Sequence, residues 1–514
     1  MLLTIGVTVL ASVDASFAQN ACELQKLVAS DGESSEHFGL SVAMDGDIAV
    51  IGAPWDDDAC PEIPTCYSGS AYVFRFDGST WVEEQKLLPK DGAYNDWFGF
   101  STGISGDTII VGMFFDDDNG SSSGSAYIFR YNGSVWVQTQ KLLPSDGAQN
   151  DMFGRSVAID GDRAVIGASH EINSDESPGY AYVFRFDGSS WIEEQKLAST
   201  DGAVGDFFGM SVSISGDAVL IGAERDDDLG FNSGSAYVFR LDPDTSQWVQ
   251  EHKLLPSDGA ALDSFGGLMA VAIDGDTALV GARIHTHNAP VEGAAYVFRH
   301  IGGGFWVEEQ ELLASDPCPD QLDDWFGYSV ALSGDAAVVG SPFHCENGDS
   351  SGAAYLFRFD GVNWIEEQEF LPAEIDSYDR FGQQVAISGD IAMIGAAKAV
   401  GTVYNAGAVY SFAGLSAIDC NSNEVSDACD ILAGTSPDAN GNGIPDECEG
   451  PACGDCPTDV NGDGSTGPFD LAFLLGNWGP CIPGDDCECL DANDDRTVGP
   501  FDLAVLLGAW GPCE

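Results

Sequence analysis

The chain has 514 residues, 19 Lys plus Arg against 83 Asp plus Glu, and a formal charge of −64. That length exceeds one ordinary core unless repeats build it, and 44% hydrophobic content excludes a disordered acidic chain. Such charge argues against nucleic acid or anionic lipid as direct partners, because phosphates are repelled, and it favours hard cations, Ca²⁺ above all.

Residues 2–12, LLTIGVTVLAS, form a short apolar run, and Ser16-Phe17-Ala18 places small residues at −3 and −1 of a cut. This predicts a signal peptide over 1–18, with an uncleaved N-terminal anchor as the alternative. No other segment reaches membrane-spanning length, and 14 cysteines fit an oxidising compartment. The expectation is a secreted or cell-surface protein with no integral membrane segment after cleavage.

Internal repetition dominates the next four hundred residues. Phe-Gly recurs at Phe38, Phe98, Phe153, Phe208, Phe265, Phe326 and Phe381, at spacings of 55 to 61 residues. After each comes an alternating strand, a turn and a second strand, as in SVAMDGDIAVIGAP from Ser41 and SVAIDGDRAVIGAS from Ser156. The turn pairs Asp45-Gly46, Ser105-Gly106 and Asp160-Gly161 have the chemistry of a two-residue hairpin. A third strand follows a variable loop, GSAYVFRF at Gly69, and a fourth is WVEEQKLL at Trp81. Seven third strands face only six following fourth strands; aligning Lys26 with Lys86 makes Glu23–Leu27 the missing copy. The prediction is an all-β fold: a seven-bladed β-propeller of four-stranded antiparallel blades over 22–414, its ring closed by the N-terminal strand.

Phe38-Gly39 with Ile51-Gly52-Ala53-Pro54, and their counterparts in every blade, resemble the FG-GAP repeat of integrin alpha-chain propellers. That family often carries a DxDxDGxxD calcium loop between its first two strands. Here a short turn such as Asp45-Gly46-Asp47 stands there, so that site does not transfer. Meander geometry puts the 2–3 loops and the interblade loops on one face. That face gathers the triplets Asp56–Asp58, Asp116–Asp118 and Asp226–Asp228, and the D-x-F-G carboxylates Asp96, Asp151, Asp206, Asp263, Asp324 and Asp379. The D-x-F-G set is expected to cap local backbone N–H groups. The triplets are either a cation- or partner-binding rim or simply solvated.

No catalytic residue is assigned. Gly99-Phe100-Ser101-Thr102-Gly103 matches a serine-hydrolase elbow, but Ser101 falls on a first strand like Ser41 and Ser156, not on a strand-to-helix turn. His285-x-His287 offers two nitrogens without a third nearby ligand, so solvated loop histidines are the plainer reading. Carboxylate pairs for glycoside hydrolysis stay open, because acids are everywhere.

After Phe412 the composition turns to Asp, Asn, Gly and Cys. Over 415–450, Asp419-x-Asn421-x-Asn423 with Asp427, and Asp438, Asn440, Asn442 and Asp446, space oxygen side chains alternately, as a hard cation requires. They resemble thrombospondin type 3 calcium repeats; a polar linker is the alternative. Over 455–514, two twelve-residue EF-hand-type loops recur. Asp459, Asn461, Asp463, the Ser465 carbonyl and Asp470 fill positions 1, 3, 5, 7 and 12 of the first. Asp491, Asn493, Asp495, the Thr497 carbonyl and Asp502 fill the second, where Arg496 replaces the turn glycine. Each loop leads into an apolar helical segment, at Leu471 and at Leu503. One calcium loop and one helix, twice, resembles a type I dockerin. The resemblance implies Ca²⁺ as cofactor and calcium-dependent docking onto a cohesin-like protein or a cell-surface partner. The usual recognition positions hold Pro468-Phe469 and Pro500-Phe501, either apolar contacts or core rings.

Cys60 with Cys66, and Cys318 with Cys345, are placed to pair. Cys22 with Cys420, Cys456 with Cys481 and Cys489 with Cys513 are further expected bridges. The functional expectation is an exported, non-enzymatic binding or adhesion protein, presenting a glycan or protein ligand site on the loop face. The alternative is a dockerin-borne protein that binds or degrades polysaccharide.

Overall fold

The computed structural model describes residues 21–415, apart from 61–62, 64, 171–176, 287–290, 319–322, 373, 402 and 404. It also describes 426–437, 445 and nine positions between 465 and 512. Residues 21–415 form seven antiparallel sheets of four strands, each ordered as a simple meander. Blade one comprises Ser41–Asp45, Ile48–Ala53, Ser70–Phe76 and Trp81–Leu87.

Burial grades outward along each blade for a reason visible in the residues. Second strands such as Thr108–Met113 are buried on both faces and read as unbroken apolar runs, because a neighbouring blade covers each side. Fourth strands such as Trp136–Leu142 are buried only at their ends, and polar residues occupy the middle. The large hydrophobic clusters therefore lie between adjacent blades; one joins Val50, Ala71 and Leu87 of blade one to Ile109, Val111 and Tyr127 of blade two. Phe98 is its hinge, its ring 5.5 Å from Tyr127 and 6.0 Å from Phe129, edge-on to both.

Strand Cys22–Leu27 pairs antiparallel with Ala408–Ala413, Leu27 opposite Val409, and so supplies the fourth strand of blade seven. A cavity of about 100 Å³ on the axis touches the first strand of every blade, from Ser41 to Gln384. The ring is closed.

Two sets of side chains stitch blade to blade. Gln85 Nε2 donates to the Trp136 carbonyl at 2.8 Å while its Oε1 accepts from the Trp136 N–H at 2.8 Å. Gln25, Gln140, Gln195 and Gln310 clamp Trp81, Trp191, Trp248 and Trp364 in the same way. At the blade four to five junction the equivalent residue is His252. On the opposite face, hairpin N–H groups donate to the preceding blade's turn side chain: Gly106 to Asp45, Gly216 to Asp160, Gly334 to Asp274, and Gly46 to Ser388 across the closure. Asp45 pairs with Ile48, so the two loop residues are Gly46-Asp47 rather than the expected Asp-Gly, which leaves the aspartate free for its neighbour.

The described residues from 426 onward belong to a separate compact unit. There a short helix, Asp427–Ala433, lies where a calcium repeat or linker was expected, and Gly434 ends it at φ 68°. Ser465–Thr466 pairs with Gly511–Pro512, and Gly479–Pro480 with Thr497–Val498. Each half of the tail thus pairs with the other half, as two equivalent copies would.

The clamp predicts that Gln140→Ala lowers stability by about 2 kcal/mol, since it orphans a buried N–H and carbonyl. His252→Gln, supplying the clamp missing at that junction, raises the midpoint of thermal unfolding. Calorimetry of both variants measures this.

Candidate functional site

The interblade loops and the 2–3 loops meet on one face, and their acids are not free. In blade two, Lys141 Nζ sits 2.9 Å from Asp91, 2.6 Å from Asp116 and 2.6 Å from Asp118. The Tyr127 hydroxyl donates to Asp91 at 2.9 Å. Blade one repeats this with Lys86, Asp31, Asp56 and Asp58, and blade four with Lys253, Asp201, Asp226 and Asp228. The middle aspartate of each triplet accepts a backbone N–H of its own loop: Thr65 to Asp57, Ser122 to Asp117, Asn232 to Asp227. The triplets are therefore structural partners of a lysine and a loop rather than simply solvated, with one ammonium set against three carboxylates in each.

The D-x-F-G carboxylates cap, as expected. Asp96 accepts from the Ala93 N–H at 2.7 Å, and Asp151, Asp206, Asp263, Asp324 and Asp379 accept likewise from Ala148, Ala203, Ala260, Cys318 and Asp376. Burial pushes Asp96 up to about 7 and Asp206 up to about 6; Glu36, which stands in this place in blade one, is likewise pushed up to about 7 by burial.

Inside the acidic ring the axis mouth is aromatic and cationic. The Arg155 guanidinium lies over Phe114 at 5.1 Å and Phe100 at 5.6 Å, and Arg225 over Phe207 at 4.2 Å. Arg283 lies over Trp325 at 5.6 Å and pairs with Glu224; Arg380 lies over Phe343 at 4.7 Å. Trp97 joins them through Phe115 at 4.9 Å and Trp55 at 5.8 Å. Beside them, burial, then Lys398 and Arg380, push His37 down to about 4, so it is neutral at physiological pH. Phe100, Phe114 and Phe207 are buried beneath; the half-buried rings of Trp97, Phe115, Trp325 and Phe343, with the guanidinium groups, make a surface that can stack on a planar or sugar ring and neutralise an anion.

A family model described as the FG-GAP repeat matches residues 22–74, 81–129, 136–184, 191–239, 248–298, 306–357 and 364–412. The chain belongs to the FG-GAP repeat family. Each match joins an outer strand to the first three strands of the next blade, the same offset that lets the N-terminal strand close this ring. Comparison with curated proteins gives no significant match.

In this FG-GAP propeller Ser101 donates its hydroxyl to the Gly154 carbonyl at 2.8 Å, as Ser41 does to Gly99 and Ser156 to Gly209. It is a blade-to-blade contact. His285 is buried, not a solvated loop residue, and Asp263 holds its Nδ1 at 3.0 Å; His287 lies outside the described residues. Cys60–Cys66 and Cys318–Cys345 are disulfides, and Cys22 is disulfide-bonded, while the proposed partner Cys420 lies outside the described residues. So do the other expected tail bridges. Of the expected calcium ligands, Ser465 and Thr497 open short strands. Asp438, Asn440, Asn442, Asp446, Asp459, Asn461, Asp463, Asp470, Asp491, Asn493, Asp495 and Asp502 lie outside the described residues. Asp427 is buried in the first turn of its helix. Among the described residues no helix is long and apolar enough to cross a membrane.

Sequence reasoning missed the axis mouth and the lysine cages. The recurrent Asp-Gly after the fourth strand, at Asp31, Asp91, Asp146, Asp201 and Asp258, was the available clue.

A carboxyl whose pKa is raised on folding holds its proton more tightly in the native state. Stability from Glu36, Asp96 and Asp206 therefore falls as pH rises from the ordinary carboxylate range to about 7. Asp91, which burial raises but its Lys141 and Tyr127 hydrogen bonds bring below its ordinary value overall, loses its contribution only in more acid solution. The propeller should melt at a higher temperature at pH 5 than at pH 7.5; a lower melting point at pH 5 contradicts this. Lys141→Met, leaving three carboxylates face to face, should cost about 3 kcal/mol in denaturant unfolding.

Proposed function

We propose that the protein is an exported, non-enzymatic binding or adhesion protein. The FG-GAP propeller is its scaffold, the axis mouth its ligand site, and the C-terminal hundred residues a calcium-dependent docking tail. The observation that carries the reading is the aromatic and arginine cluster on the loop face. In a chain with 19 basic residues and a charge of −64, Arg155, Arg225, Arg283 and Arg380 each lie over an aromatic ring on this face, Phe114 and Phe207 buried, Trp325 and Phe343 half-buried. Elsewhere the cations are spent inside the blades, as with Lys141 in its cage and Arg240 between Asp217 and Glu251. A rigid scaffold concentrating guanidinium groups and aromatic area in this way is suited to an anionic ligand with a ring face. That points to an acidic polysaccharide or an acidic, aromatic-bearing peptide loop.

The tail reading rests on the doubled oxygen pattern from Asp459 and from Asp491, and the reciprocal strand pairs between its halves agree with two equivalent loops. Calcium there supplies folding energy, because so small an acidic unit condenses only once its carboxylates are neutralised. The partner is a cohesin-like or cell-surface protein.

Two measurements test this. A glycan and peptide array probed with the mature chain should give binding to acidic ligands that Arg225→Ala weakens at least tenfold, without turnover of the ligand. Hydrolysis of a bound polysaccharide would favour the degrading alternative instead. Calcium calorimetry of the whole chain should lose one site with Asp459→Ala and one with Asp491→Ala; an unchanged stoichiometry in both would sink the tail assignment.

A further inference from the structure

The seven blades are near-copies, so a departure in one can be read against the others. In blades one, two and four the fourth-strand lysine is a built-in cation at the centre of three carboxylates. In blade six that lysine is Glu369, and the residue matching Asp116 is His344. The other two acids remain: Asp316 matches Asp91, and Glu346 matches Asp118. A carboxylate has replaced the cation, and an imidazole has replaced one of the three original carboxylates.

The geometry around His344 is that of a held ligand. The ring is 3% exposed. Its Nδ1 faces Asp324 Oδ1 at 3.3 Å and the Tyr355 hydroxyl at 3.4 Å. The Tyr355 hydroxyl gives its own proton to Asp316 at 3.0 Å and so accepts from Nδ1, with the Asp324 carboxylate close by but not hydrogen-bonded; that leaves the lone pair on Nε2, the arrangement in which histidines ligate metals. Nε2 points to Glu369 Oε1 at 3.6 Å, too long for a hydrogen bond, and that oxygen is buried with no hydrogen-bond partner among the described residues. One ligand atom from each of Asp316, His344, Glu346 and Glu369 lies within 4.8 Å of all the others. Ligand atoms about 2.1 Å from a tetrahedral ion are roughly 3.4 Å apart, so the four need only close in slightly. The disulfide Cys318–Cys345 ties the loop carrying His344 and Glu346 to the loop carrying Asp316, and its oxidation removes Cys318 as a ligand. Blade five repeats the exchange: Glu311 for lysine and His285 for aspartate, with Asp263 on Nδ1 at 3.0 Å. There Nε2 lies 3.8 Å from both Asp258 and Glu311.

We propose that blade six binds a divalent transition-metal ion, of Zn²⁺ type, through His344 Nε2 and the carboxylates of Asp316, Glu346 and Glu369, and that blade five binds a second through His285, Asp258 and Glu311. The ion takes the place the lysine ammonium holds in blades one, two and four. A nitrogen among oxygens selects Zn²⁺ or its neighbours over Ca²⁺, which prefers oxygen alone. These sites are distinct from the hairpin calcium loops typical of such repeats and from the tail.

The test uses the whole mature chain, stripped with chelator and resupplied with excess Ca²⁺ so that oxygen-only sites are filled. Zn²⁺ is then titrated and bound metal counted by equilibrium dialysis. His344→Asp with Glu369→Lys rewrites blade six as blade two, a donor set known to fold in this ring, and the same pair at His285 and Glu311 rewrites blade five. The quadruple variant gives the baseline. Wild type should bind two Zn²⁺ per chain above it, and each pairwise rewriting should remove one. Glu369→Gln should weaken one of the two at least tenfold. Equal zinc binding by wild type and quadruple variant overturns the proposal. So does nuclear magnetic resonance that finds His344 an imidazolium at neutral pH in the presence of Zn²⁺, since a proton would then be the missing cation.

Discussion

The distance at which adjacent blades meet governs this molecule. At the Phe-Gly dipeptide the backbone of one blade touches the backbone of the next. A Cβ on Gly112 would lie 2.0 Å from the Gly154 carbonyl oxygen, and one on Gly124 would lie 2.0 Å from that of Phe153. Only glycine permits that approach. With the backbones in contact, Phe153 drops into the gap against Tyr182 and Phe184, and the serine and glutamine side chains reach across to their neighbours. Repeated seven times, the contact fixes the angle between blades, and the angle brings the last blade back to the first. The loop face is a by-product of that closure, held in place by residues that never touch a ligand.

Charge follows the same logic. A chain of net charge −64 must keep its carboxylates from unfolding it, and it does so locally. Lysines on outer strands cage the loop acids, third-strand arginines such as Arg358 bridge a hairpin aspartate to a fourth-strand glutamate, and backbone N–H groups take the D-x-F-G set. What is left over is informative in both signs. Arginines stacked on aromatic rings gather at the axis, and acids without a lysine gather in blades five and six.

Much of this was legible in the residues. The blade count, the strand order, the closing role of Glu23–Leu27 and the capping aspartates follow from periodicity and turn chemistry, because the repeat shows them again and again, and the two loop disulfides follow from cysteines placed in the same or facing loops. The sharing of Gly46-Asp47 as the loop, which frees Asp45 for the next blade, needed the register. The axis mouth was invisible for a different reason. Trp97, Arg155, Phe207 and Arg283 sit at variable positions of separate blades, and only ring closure brings them together. The Lys-to-Glu and Asp-to-His exchanges at Glu369 and His344 stand openly in the repeats, but their meaning depends on knowing that those two positions face each other.

The central claim is that the N-terminal strand closes the ring and so makes the loop face rigid. Hydrogen exchange of strand Ala408–Ala413, compared with its counterparts Ser125–Tyr131 and Tyr180–Phe186, tests it most directly. A strand clasped on both edges should exchange as slowly as those two, and Cys22–Leu27 should be protected with it. Fast exchange confined to Ala408–Ala413 and Cys22–Leu27 would mean an open ring with a free edge, and the account of the face built on it would fail.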